Sequence, residues 1–174
     1  MITLDEVRNR LKQLKLAVMA AQLETVLADH RGSNRDVLHS IKLLCDLEIE
    51  ARWNNGVNRR LVQSRLTERP TIDLFDFAHH RSRQEQKNII LSLVNLDFLS
   101  QHKDIILIGN PGTGKTMLAK VIASAACHQN RKVLFATAAD IVNHLAAAEA
   151  DSSLEKKIQL YHNPELLVCD EVGY

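Results

Sequence analysis

Membrane-spanning stretches are missing from this sequence: no run of about 18 apolar residues occurs, and the start lacks a charged-then-apolar signal segment. Disulfide chemistry is poorly provided for as well. The three cysteines, Cys45, Cys127 and Cys169, lie far apart within apolar patterns and form no C-x-x-C. That excludes a stapled secreted scaffold and reads as three reduced core thiols, so the protein is expected in the cytoplasm. Metal-ligand spacing is absent among the eight histidines; His79-His80 stands alone in a polar stretch. A global charge excess is missing too. The net charge of +1 creates no field that would draw the whole chain to nucleic acid. Its distribution is uneven: residues 1–70 carry 12 Lys+Arg against 9 Asp+Glu, and residues 71–174 carry 10 against 12. What is present, 45% apolar and 25% charged residues, suffices for one ordinary domain core and a smaller appendage.

The stretch Asp104-Ile-Ile-Leu-Ile-Gly-Asn-Pro-Gly-Thr-Gly-Lys-Thr116 organises the rest. Gly109, Asn110, Pro111, Gly112, Thr113, Gly114, Lys115 and Thr116 fill the phosphate-binding pattern G-x-x-x-x-G-K-[ST]. The glycines let consecutive N–H groups approach a phosphate with no Cβ in the way. Lys115 supplies a point charge for the β/γ-phosphates and Thr116 a hydroxyl for Mg²⁺. The apolar run Ile105–Ile108 is expected to be a parallel strand buried on both faces. Met117, Leu118, Val121, Ile122 and Ala125 recur at helical spacing, which places the bound phosphate at a helix N-terminus with Met117 in the cofactor site. A glycine-rich turn without a ligand is the bland alternative, and the strand–loop–helix frame argues against it.

Downstream, Leu166-Leu-Val-Cys-Asp-Glu171 is an apolar strand ending in two carboxylates, the shape of a Walker B strand. Asp170 would hold Mg²⁺ with Thr116, and Glu171 would polarise the attacking water, with Lys115 as the second catalytic group. An acidic turn at a strand end would be the plain reading without the upstream loop.

In order along the chain, residues 3–30 read as helix opened by a Thr3/Glu6 capping box, with a hinge near Lys15 into two packed helices equally open. The stretch from His30 to Asn34 reads as a break, with Gly32 suited to a helix C-cap. An amphipathic helix then runs to about Arg52. Between residues 52 and 69 five arginines, Arg52, Arg59, Arg60, Arg65 and Arg69, face only Glu68, with Trp53 and three asparagines among them. The patch suits phosphate contacts, and equally a solvated helix face. Pro70 places the domain boundary: a helical domain of residues 1–70, then residues 71–174. Leu74, Phe75 and Phe77 are expected to dock on the second domain. A helix over Gln84–Leu99, strands at Lys132–Ala136 and Leu166–Asp170, and helices at Ala139–Ala148 and Leu154–Tyr161 complete a parallel α/β sheet.

Taken together, GNPGTGKTMLA, KVLFATAADIVNHL and ELLVCDEVGY resemble the ATPase domain of IstB-like transposition helper proteins, an AAA+ branch related to DnaC-type helicase loaders. The leading helices through FDF and the segment LDFLSQHKDIILIG fit the same family, so the resemblance covers essentially the whole chain. It implies an ATP- and Mg²⁺-dependent protein that binds duplex DNA non-specifically, forms homo-oligomers on it, and activates a transposase. The arginines at 52, 59, 60, 65 and 69 would then contribute to DNA contact. A helicase-loader-like ATPase acting on a replicative helicase, and a non-catalytic nucleotide-binding fragment, are the other readings. The family pattern continues beyond Tyr174 with a polar sensor residue on a further strand and an arginine finger. The resemblance therefore implies a C-terminally truncated relative, or one completed by another polypeptide, with weak hydrolysis and unpaired strand edges.

Overall fold

The computed structural model describes residues 2–33, 36–150 and 152–173. They form two compact units, residues 1–56 and 57–174, and the division falls inside one helix.

The first unit is helical. Helix α1 (Leu4–Gln13) opens on the expected capping box: Thr3 Oγ1 accepts from the Glu6 N–H and Glu6 returns a bond to the Thr3 N–H. Lys15, with φ 59°, makes the hinge between α1 and α2 (Ala17–Ser33). The break expected from His30 to Asn34 with a Gly32 cap is corrected: α2 continues through Gly32 to Ser33, because its backbone stays helical there, and only residues 34 and 35 lie outside the described residues at this point. Helix α3 (Val37–Gln63) brings Leu44 against Leu23 and Val26, with Leu4, Leu11, Met19, Leu27 and Leu43 packed around them. One polar group organises this unit. Glu48 of α3 lies almost fully buried, and its Oε2 accepts from the Val18 and Met19 N–H groups at 2.9 and 3.1 Å. It thereby caps α2 from the side, at the positive end of the helix. Arg52 donates to Glu48 Oε1 at 3.0 Å and to the Lys15 carbonyl at 2.7 Å. Burial works against the charge on Glu48, but the hydrogen bonds from Met19, Arg52 and Val18 hold its carboxyl below the usual carboxylate range. A lowered folded-state pKa stabilises above the unfolded value and is lost as pH falls through the folded one. Glu48→Gln is accordingly expected to lower the thermal midpoint by several degrees at neutral pH. The gap to the parent, followed by circular dichroism, should close as the pH drops below the carboxylate range.

Helix α3 continues past Arg52, where the sequence pattern ends it, to Gln63. The reason is packing: Val57 and Leu61 enter the core of the second unit. The compact units therefore divide at Gly56, earlier than the Pro70 boundary read from sequence. The chain then turns at Arg65, φ 62°, and Ser64 is fully buried there. Its carbonyl accepts from the Phe135 N–H at 2.8 Å, which fixes this turn beside strand β1 (Val133–Thr137). Of the three connector hydrophobes, Phe75 is buried and Phe77 packs on the core, ring to edge against it, while Leu74 is exposed.

The expected Gln84–Leu99 helix is three pieces: α4 (Arg81–Glu85), α5 (Lys87–Val94) and α6 (Asp97–Ser100). Leu96, at φ 65°, breaks the last two so that its side chain reaches the core. Helix α7 (Lys115–His128) follows the glycine-rich loop and is buried along Leu118, Val121, Ile122, Ala126 and Cys127. Burying each of Leu118, Val121 and Ile122 contributes about 1.5–3 kcal/mol. After β1 come α8 (Ala138–Ala150), α9 (Leu154–His162) and β2 (Leu166–Asp170). Strands β1 and β2 are parallel, with Val133 opposite Leu166 and Thr137 opposite Asp170.

Two expectations need correction. Among the described residues the sheet has two strands; Ile105–Ile108 is outside its ladder. Leu107 packs on the core, yet Ile106 and Ile108 are 81% and 90% exposed, so this segment is covered on one face instead of two. Cys169 is likewise exposed and not a core thiol, because β2 alternates Leu166 and Val168 inward with Leu167 and Cys169 outward. Among the described residues no helix is long and apolar enough to cross a membrane, and no group of three or more histidine, cysteine or carboxylate side chains gathers as a metal site.

Candidate functional site

The loop between Ile108 and α7 is built from its glycines and proline outward. The Thr113 N–H bonds to the Asn110 carbonyl, with Pro111 and Gly112 between them. Proline at the second turn position and a glycine at φ 80° at the third are the requirements of a type II turn. Thr113 Oγ1 also donates to the Asn110 carbonyl at 2.8 Å, and a Cβ at Gly109 would crowd it. Gly114, at φ 88°, caps α7 and turns the chain into the helix.

Lys115 sits in the first turn of α7 and folds back over the loop. Its Nζ donates to the Gly109 carbonyl at 2.8 Å and to the Asn110 carbonyl at 3.0 Å. Thr116 is exposed, and its Oγ1 lies 3.3 Å from Asp170 Oδ1 at the end of β2. The structure thus joins two sequence elements 54 residues apart. Glu171 follows on an exposed turn at φ 57°, its N–H donating to Asp170 Oδ1 at 3.0 Å. The hydroxyl and the carboxylate are hard oxygen donors of the kind Mg²⁺ takes.

Beside Thr116 and Met117 a cavity of about 510 Å³ opens, lined also by Glu68, Arg69, Pro70, Leu74 and Lys120. Lys120 pairs with Glu68 at 2.8 Å and its hydrogen bond holds that carboxyl below the usual range. Sequence reasoning missed this cavity, since its walls come from the connector and from α7 and share no motif. It also missed Arg83, whose Nε donates to the Thr113 carbonyl at 2.9 Å. No residue-type pattern in the polar stretch around Arg83 signals that contact.

The arginines of the 52–69 segment differ in what each of them bonds to. Arg52 lies in the first unit, committed to Glu48 and Lys15. Arg60 donates to the Cys127 carbonyl at 2.9 Å and serves the second unit's packing. Arg69 lines the cavity beside the loop. Arg52, Arg59, Arg65 and Arg69 are all exposed and Arg60 is half-buried; among the described residues no side-chain hydrogen bond or cavity contact ties down Arg59 or Arg65.

A glycine-rich loop opening a helix, followed by a parallel strand whose terminal aspartate meets the loop's threonine, defines a P-loop protein. Residues 9–174 match the family described as IstB-like ATP binding protein, and the chain belongs to that family. It is 32% identical over 170 residues to a protein named for ATP binding in insertion sequence IS5376 of Geobacillus stearothermophilus, covering 98% of this chain and 67% of the relative. The counterpart from IS232 of Bacillus thuringiensis subsp. berliner is 30% identical over the same shares. That from IS21 of Pseudomonas aeruginosa is 27% identical over 175 residues, 98% of this chain and 64% of the relative. The chain spans about two thirds of the length of these relatives.

Proposed function

We propose that this chain binds Mg·ATP at the Gly109–Thr116 loop and serves, in its ATP-bound form, as a helper of insertion-sequence transposition that binds DNA and activates a transposase. The observation that carries the reading is Lys115 folded over the loop carbonyls while Thr116 meets Asp170 across from β2. On nucleotide binding the Lys115 ammonium exchanges the Gly109 and Asn110 carbonyls for phosphate oxygens, and the loop N–H groups and the α7 N-terminus take up the remaining charge. Thr116 Oγ1 and Asp170 would hold Mg²⁺, which when bound neutralises phosphate charge. Pro70, Leu74 and Met117 offer apolar walls for the nucleoside in the adjacent cavity. Glu171, one residue past the metal-facing aspartate, is the group to orient a water.

The biological role rests on the relatives, which are named for insertion sequences. Equilibrium binding of a fluorescent ATP analogue tests the nucleotide half. Retention of the partner transposase on immobilised protein with ATP, and its loss without, tests the other. A chain that binds no nucleotide, or holds its transposase equally well without it, would overturn the proposal.

Contact with DNA falls to the exposed arginines Arg59 and Arg65, which offer charge without a base-reading element. Replacing both with Gln should weaken binding to any duplex and flatten the log–log salt dependence by up to about two phosphate contacts. Arg60→Gln should leave that slope unchanged and instead lower thermal stability, because its guanidinium is spent on the Cys127 carbonyl. A salt slope untouched by the double substitution would assign this segment to a protein partner.

A further inference from the structure

We infer that Arg83 is a positioning residue for the phosphate-binding loop: its guanidinium sets the orientation of the Thr113–Gly114 peptide. The inference rests on the nucleotide-binding reading above and deepens it. Arg83 is 9% exposed, which is rare for an arginine unless its charge is matched. Its partners are backbone carbonyls: Nε donates to Thr113 at 2.9 Å and Nη1 to Asp76 at 2.8 Å. The Phe75 ring lies below, with the guanidinium carbon 4.6 Å from its centroid. Nη2 fills the space in front of Gly114, where an added Cβ would collide with it. One planar fork therefore ties the 75–76 connector to the last peptide before α7.

The consequence follows from peptide geometry. Across a planar trans peptide the carbonyl and the next N–H point in opposite directions. With the Thr113 carbonyl held toward Arg83, the Gly114 N–H is turned to the other side of the loop. A flipped peptide would present a carbonyl oxygen to the phosphates in place of a donor. The positive charge behind the loop adds to the field of the α7 N-terminus. The requirement for glycine at 114 thus has two sources, its positive φ and the guanidinium lying against it.

The test compares Arg83→Gln and Arg83→Lys with the parent. Lysine keeps the charge and the aliphatic stem over Phe75 but cannot make two in-plane bonds at once. Both variants are expected to bind fluorescent ATP and ADP analogues roughly 10- to 100-fold more weakly, the range for losing charge-assisted hydrogen bonds that preset a site. The loss should be equal for ATP and ADP, since the peptide lies ahead of the helix and is not specific to the γ-phosphate. In nucleotide-free protein the amide ¹⁵N resonance of Gly114, whose shift reports hydrogen bonding at the preceding carbonyl, should move in both variants. A lysine variant that is folded and binds within about twofold of the parent overturns the inference, as does an unmoved Gly114 resonance. If the parent itself binds no nucleotide, the reading of the site falls while the amide resonance still decides what Arg83 does to the loop.

Discussion

Replacing Lys115 with alanine is expected to weaken ATP binding by about two orders of magnitude or more while leaving the helical content intact. Lys115 is the one side-chain cation the loop sequence itself supplies, and charge-assisted bonds to phosphate oxygens are among the strongest hydrogen bonds a protein makes. It carries a second duty in this structure. Its Nζ ties the Gly109 and Asn110 carbonyls together, so the substitution also removes a staple that holds the loop in shape before ligand arrives. Both losses act on the same equilibrium. The fold should not suffer, because the alanine would sit in the first turn of α7, where it is a good helix former. Titration with a fluorescent ATP analogue, with circular dichroism as the control, decides the matter. A variant that binds as tightly as the parent would remove the loop from the nucleotide site altogether.

ATP turnover by this chain on its own should be near background even when ATP binds. Glu171 sits on an exposed turn with its backbone in the left-handed region, a conformation that for a glutamate is uncommon and has to be held by its surroundings. The segment leading into the phosphate loop is outside the ladder of β1 and β2, so no strand pairing ties it to the strand that carries Asp170, and Thr116–Asp170 is the side-chain contact between loop and strand. In P-loop ATPases an arginine reaching the transferred phosphoryl group is worth about 10³–10⁵ in turnover. Arg83, which touches the loop, is committed behind it to Thr113 and Asp76. Adding DNA and the partner transposase should raise the rate, and Glu171→Gln should abolish the increase while sparing ATP binding. Should the chain alone hydrolyse ATP at a rate of order 1 s⁻¹, and lose it on Glu171→Gln, the base is already in place and this account is wrong.

How much of this was legible beforehand divides by the range of the interactions. The capping box at Thr3, the Lys15 hinge as one of two alternatives, and the strands at 133–137 and 166–170 rest on neighbours in sequence. Local pattern was enough for these. The end of α3 was not readable, because Val57 and Leu61 are made helical core by residues far along the chain. Nor was the fate of the arginines. Arg52 finds a carboxylate four residues back and a carbonyl 37 residues away, and Arg60 finds a carbonyl 67 residues away. Composition counts charges without saying which of them are already satisfied. The pairing of Thr116 with Asp170 was foreseeable only because two motifs imply one metal between them, whereas Arg83 belongs to no motif and had to be seen.

The bond from the Phe135 N–H to the Ser64 carbonyl gives the small sheet a handed growth rule. On the flank away from β2, β1 is already closed at that point by the turn after α3, with the fully buried Ser64 and the left-handed Arg65 bending the chain away immediately afterward. Such a turn acts as a doorstop: a strand arriving there would have to evict a buried serine before it could zip along β1.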